Sequence, residues 1–156
     1  MRKREARLRI RSAKVDYDEI EAEQEKIEYS CVGTLCEDGD LIELSYEEPE
    51  DTGMEDSVTT LFFKKSQRSI LNIRRTGDLP TGLIFDSEKR RQICGYEYGG
   101  VPLEFCIDTR SISNTVTYDG GKVELDYLVE FAGELTQHNK LGIEVRPAPA
   151  GEGGAL

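Results

Sequence analysis

Residues 117–131, TYDGGKVELDYLVEF, decide how this chain folds. An aspartate followed by Gly120 and Gly121 has the composition of a tight hairpin turn, where glycine supplies the positive φ. Beyond the turn, Val123, Leu125, Tyr127, Val129 and Phe131 take every second place, and Lys122, Glu124, Asp126 and Glu130 fill most of the others. A period of two means a β-strand with one wet face and one dry face. The dry face must look into a second sheet, a filled core or a cavity, and those three outcomes imply different functions.

The same pattern recurs along the chain. Strand character is read near 5–12, 25–35, 41–48, 57–64, 69–76, 82–86, 91–98, 102–109, 112–118, 122–131 and 138–146, several of these being halves of one bent strand. On 57–64, SVTTLFFK, both faces carry apolar residues and the inward set stays open. CEDGDL, YEYGGVP and YDGGK read as hairpin turns, and EEPEDTGMED and TGDLPTG as longer surface loops. The acidic stretch DYDEIEAEQE has too few apolar positions to bury a helix face and is read as a loop. With no full-length amphipathic helix, α/β folds drop out and a sandwich or barrel remains. Hairpins that run continuously from start to end favour the barrel. The expected architecture is all-β: a single antiparallel up-and-down β-barrel over residues 1–146, with a Pro/Gly/Ala-rich tail at 147–156 expected to be disordered.

Hydrophobic residues make up 37% of the chain and charged residues 33%, and the formal net charge is −11. Residues 1–14 hold seven basic residues and one acidic, so that the rest of the chain carries −17. An acidic body repels phosphate backbones, which argues against nucleic acid as a partner. In EARLRIRS, Arg7, Arg9 and Arg11 alternate with Leu8 and Ile10, so these arginines read as the solvated face of a first strand. No apolar run approaches the roughly 18 residues of a membrane span. The basic start lacks the apolar core of a signal peptide. A cytoplasmic location without membrane contact is the expectation, and a homodimer is compatible with this composition.

Four cysteines, Cys31, Cys36, Cys94 and Cys106, lack the paired C-x2-C spacing of a zinc site. They are expected to be reduced, partly buried thiols. If the YGGVP turn is centred on Gly100, Cys94 and Cys106 stand opposite each other. The only histidine, His138, reads as part of a polar turn, LTQHNK. No metal and no cofactor is expected. CEDGDLIE lacks the spacing of a calcium loop, CGYEYGG is no phosphate loop, and Ser111 and Ser113 near Asp108 have no histidine in sequence reach for a triad. No catalytic residue is assigned.

The run IEYSCVGTL…GDLIELSYEE, then ILNIRRTG, then YEYGGVPLEFCIDTRSI…GGKVELDYLVEF…LGIEV resembles the YwiB-like family (DUF1934). Glu28, Gly33, Tyr46 with Glu47, Arg75 with Gly77, Tyr98 with Gly99, Thr109, and Leu125 with Tyr127 carry the resemblance, which extends over residues 5–146. It implies an intracellular bacterial protein with a lipocalin-like (calycin-like) β-barrel, and it implies no activity, substrate or catalytic residue.

The dry faces expected to line the interior are Leu8 and Ile10; Ile27 and Tyr29; Ile42, Leu44 and Tyr46; Leu71 and Ile73; Leu103, Phe105 and Ile107; Val123 through Phe131; and Leu141, Ile143 and Val145. A barrel of about eight strands is just wide enough to be filled by side chains or to hold one small ligand. One polar residue falls in phase with this interior. Arg75 follows Leu71 and Ile73 at every second place, so it points inward and Arg74 outward. A buried arginine requires a partner. The partner is either an inward acid or the barrel-mouth water, or else a ligand carboxylate or phosphate with Tyr46 and Tyr127 as hydroxyl partners. The candidate ligand-binding residues are therefore Arg75, Tyr46, Tyr127 and Phe105. The expected function is a non-catalytic barrel that binds a small amphiphilic or apolar ligand; the alternative is a structural or interaction barrel with a filled interior.

Overall fold

The computed structural model describes residues 1–17, 24–48, 57–77, 80–98 and 100–148. Ten strands run through them: β1 (Arg2–Asp16), β2 (Gln24–Asp38), β3 (Leu41–Glu47), β4 (Val58–Lys64), β5 (Gln67–Thr76), β6 (Thr81–Asp86), β7 (Arg91–Tyr98), β8 (Val101–Asn114), β9 (Gly121–Phe131) and β10 (Glu134–Pro147). Every neighbour pair is antiparallel and consecutive in sequence, and β1 pairs with β10 to close the barrel. This is the expected up-and-down meander, with ten strands rather than about eight. No helix is present among the described residues, so none is long and apolar enough to cross a membrane.

The strands are unequal. β1, β2, β8 and β10 run for 14 or 15 residues, whereas β3, β4 and β6 have 6 or 7. The interior therefore has a tall wall and a low wall. Its lower part is solid: Leu8, Ile10, Leu35, Ile42, Leu61, Leu71, Phe85 and Ile143 are all 0–2% exposed. Val123 and Leu125, from the 117–131 stretch, join this core.

The end that carries the start of β1, the end of β10 and the β2–β3, β4–β5 and β8–β9 turns is plugged. Val116 is buried there, and Arg68 donates Nη1 hydrogen bonds to the carbonyls of Asn114 (3.2 Å) and Val116 (2.8 Å). Arg2 and Arg4 stack on the Tyr118 ring with guanidinium carbons 4.1 and 4.9 Å from its centroid. The outer face of β1 carries Arg7, Arg9 and Arg11 in the solvated role read from the sequence, and Arg9 and Arg11 pair with Glu28.

Segments 102–109 and 112–118 are two halves of one strand, β8, which ends at Asn114 rather than at residue 118 and has an irregularity against β9 between Thr109 and Ser111. The extra residue switches the inward set from Leu103, Phe105, Ile107 and Thr109 to Ile112 and Asn114, which is why the sequence reads as two segments. Other expectations are corrected. The β7–β8 ladder closes at Tyr98 with Val101, so Cys94 stands opposite Phe105 and Cys106 opposite Ile93. The two cysteines are thus not opposite each other; a one-residue difference in register sends them to opposite faces. His138 lies within β10, not in a turn, and its Nε2 is 2.6 Å from Asp126 Oδ1. Ile27 and Phe131 have the inward phase but sit near the open end, and are 44% and 40% exposed. On β4, left open by the sequence, Thr59, Leu61 and Phe63 face inward, while Phe62 lies under Arg74 on the outside.

All four cysteines are unpaired. In the acidic stretch, Asp16, Gln24 and Glu25 belong to strands, and residues 18–23 lie outside the described ones. So do residues 49–56 and 78–79 of the two long loops, and 149–156 of the tail, whose first residue, Pro147, still belongs to β10.

Candidate functional site at the open end

Strand β5 is regular through Ile73, Arg74 and Arg75, opposite Leu61, Thr60 and Thr59 on β4. Regular alternation keeps Leu71, Ile73 and Arg75 on one face. Arg75 accordingly points inward, where it lines a cavity of about 570 Å³. The apolar walls are Leu83 on β6, Phe105 and Ile107 on β8, and Val129 and Phe131 on β9; Thr81, Tyr127, Glu134, Thr136 and Gln137 contribute the polar groups. The cavity opens beside the β9–β10 turn, where Ala132 (φ 53°) and Gly133 (φ 81°) both take the left-handed conformation of a tight two-residue hairpin.

Three of the four sequence-derived candidates, Arg75, Tyr127 and Phe105, thus line one cavity. Tyr127 packs edge-on against the fully buried Phe85, with ring centroids 4.7 Å apart. Burial pushes its phenol pKa up, while the Arg75 charge pulls the other way. The fourth candidate, Tyr46, does not line the cavity. It is 5% exposed and stands opposite Thr59 on β4, which lies between it and Arg75 in the sheet. Burial chiefly, and then the nearby Glu48, raise its phenol pKa, and Arg75 opposes them.

Beside this lies a polar cluster that the sequence reading missed. Glu48, 6% exposed, accepts hydrogen bonds from the Tyr29 hydroxyl (2.9 Å) and from Thr59 Oγ1 (2.7 Å). Burial, with Glu48 adding to it, pushes the Cys31 thiol pKa up to about 11. The signal for Glu48 is present: it ends the strand read at 41–48 and continues the inward alternation of Ile42, Leu44 and Tyr46 by one more step, but it also opens the loop EEPEDTGMED and is not counted among the inward residues. Arg75 is not the partner of this acid. Its Nε is buried without a hydrogen-bond partner, and it joins no ion pair among the described residues. Nor do the described residues hold a group of three or more His, Cys, Asp or Glu that could bind a metal. Chemically the open end is a recess of mixed polar and apolar lining: among the described residues it has one cation, Arg75, whose Nε is buried without a partner, with the acid Glu134 and hydroxyl and amide groups beside the apolar side chains.

A family model described as "Domain of unknown function (DUF1934)" matches residues 10–143. The chain is also similar to the crystal structure of the ywiB protein from Bacillus subtilis, with a TM-score of 0.75 over 94% of each chain at 18% identity. At that identity the likeness speaks for the fold alone. No curated protein matches this chain.

Proposed function

The chain belongs to the DUF1934 family, and from that premise we propose that it is a non-catalytic binding protein that takes a small amphiphilic or apolar molecule into the open end of its barrel. The observation that carries this reading is the cavity of about 570 Å³. Ligand sites commonly measure about 300–1,000 Å³ and combine apolar walls with a few placed polar groups. A barrel serving only as a scaffold gains by filling its interior, because each void forfeits contacts. The plugged half follows that rule and the open half departs from it. The residues proposed to hold the molecule are Phe105 and Tyr127 in the wall and Arg75 at the polar pole, with Tyr46 supporting Arg75 from behind. The lining offers one cation, one acid at the rim, hydroxyls, an amide and apolar surface, a set suited to holding a molecule.

Native mass spectrometry of protein purified without detergent is the test. A reproducible small-molecule adduct, or saturable uptake of Nile red, is expected. A bare chain that also takes up no Nile red overturns the reading in favour of a barrel that acts through its outer surface.

A further inference from the structure

Resting on the reading of the open end as a ligand cavity, we propose that this cavity selects a singly charged carboxylate head group, held at Arg75, with the apolar remainder of the ligand against Phe105, Ile107 and Val129. Arg75 carries the argument. Its Nε is buried and has no acceptor, although the guanidinium is in the wall of a cavity. A buried donor left unsatisfied is costly, and nearly all such donors in folded proteins find partners. An acceptor delivered by a ligand supplies what the protein does not. The guanidinium edge presents parallel N–H groups that match the two oxygens of a carboxylate. Tyr127, in the same lining, keeps its proton because burial raises its pKa, so it offers a second donor.

The head group's charge follows from what else is inside. Thr59 stands directly opposite Arg75 in the β4–β5 ladder and is bonded to Glu48, so one buried acid already shares this interior. Glu134 adds an acid at the cavity rim. Among the described residues, Arg75 is the one cation in the lining. A monoanion neutralises it. A dianion leaves an excess negative charge near Glu48 in a poorly solvated interior, where like charges repel strongly. Carboxylates are therefore favoured over phosphate monoesters, and an uncharged head group leaves the Arg75 donor unsatisfied.

Calorimetric titration with decanoate, decyl phosphate at a pH where it is doubly ionised, and decanol tests this on the full chain and on Arg75→Met and Arg75→Lys. Decanoate should bind tightest, with decyl phosphate weaker by about ten-fold or more. Arg75→Met should weaken decanoate by at least about thirty-fold and leave decanol within about three-fold. Arg75→Lys, which keeps the charge and loses the fork, should fall between. Because Arg75 breaks no ion pair when replaced, thermal unfolding of Arg75→Met should match the parent; should that variant not fold, Arg75→Lys and the ligand ranking on the parent decide the matter. Decanol binding as tightly as decanoate, or a folded Arg75→Met that binds decanoate normally, overturns the head-group assignment and leaves the cavity reading standing. Decyl phosphate binding tighter than decanoate overturns the choice of a monoanion. If none of the three binds, the cavity reading itself fails and this inference falls with it.

Discussion

Thr59 donates its hydroxyl to the Glu48 carboxylate across 2.7 Å inside the barrel, where the two residues are 1% and 6% exposed. A hydroxyl–carboxylate bond of this kind is charge-assisted, and the acid has few alternatives for solvation. Thr59→Val keeps the shape and removes the donor. Stability should fall by about 1–3 kcal/mol in urea melts. Tyr29→Phe removes the other hydroxyl donor, and the two changes should be non-additive because they share one carboxylate. Melting curves for Thr59→Val that superimpose on the parent would show that Glu48 does not depend on this bond.

Cys31 gives a pH dependence with a definite sign. Burial, aided by Glu48, lifts its thiol from the usual 9.0 to about 11. Below pH 9 the thiol is neutral in folded and unfolded chains alike and the stability is fully present. Between about pH 9 and 11 the unfolded chain ionises while the folded one resists, so stability is lost as pH rises through that window. Replacing Cys31 by Ala should flatten this alkaline loss without altering the profile at neutral pH. In the folded protein, alkylation of Cys31 by iodoacetamide should rise only as pH approaches 11. A half-rise near the ordinary thiol value would contradict the burial of Cys31 inside the barrel, the main cause of the shift, with Glu48 second.

Gly33 marks a close approach of β2 to β3. A Cβ built there would stand 2.6 Å from the Ser45 carbonyl oxygen and 3.0 Å from Leu8 Cδ1. The first contact is with paired backbone at the end of the β2–β3 ladder, where Gly33 faces Tyr46 and Ser45 faces Thr34, so the ladder itself must shift to relieve it. Gly33→Ala should cost about 1–3 kcal/mol, the range typical of overpacking. Gly82 is the control: it is also in a strand, but a Cβ there meets nothing within 4 Å. Gly82→Ala should be near neutral, and equal effects at the two sites would remove the steric explanation.

How much of this was readable in the residues depended on whether a strand kept its phase. On β5 the alternation of Leu71, Ile73 and Arg75 is unbroken, so the inward position of Arg75 could be read directly. On β8 one extra residue near Arg110 reverses the inward set, and the reversal looks like a strand boundary. Across the β7–β8 turn the face depends on where the turn is centred: centring on Gly100 would oppose Cys94 and Cys106, whereas the observed pairing of Tyr98 with Val101 differs by one residue and opposes Cys94 to Phe105. Glu48 shows a different limit. It ends the strand read at 41–48 in the right phase, but a charged residue at a strand-to-loop step gives no reason to be counted as interior; among the described residues the hydroxyls of Tyr29 and Thr59, brought from other strands, make its burial tolerable. The cavity itself had no local signature, because it arises from unequal strand lengths around a closed sheet.

Val129 offers a direct probe of the cavity, since the chain contains no tryptophan. Val129 lies on the same dry face as Val123 and Leu125, but where those two are buried in the solid core, it borders the open recess. Val129→Trp places a single indole where about 570 Å³ is unfilled. The side chain can be accommodated without the overpacking cost expected at Leu125, so the variant should melt within about 1 kcal/mol of the parent, whereas Leu125→Trp should lose about 1–3 kcal/mol. Its emission should be blue-shifted, as for an indole among Leu83, Phe105 and Ile107, and uptake of Nile red should fall because the space is taken. The opposite pattern, red emission with uptake unchanged, would show that Val129 faces water and that the recess is not where an apolar molecule binds.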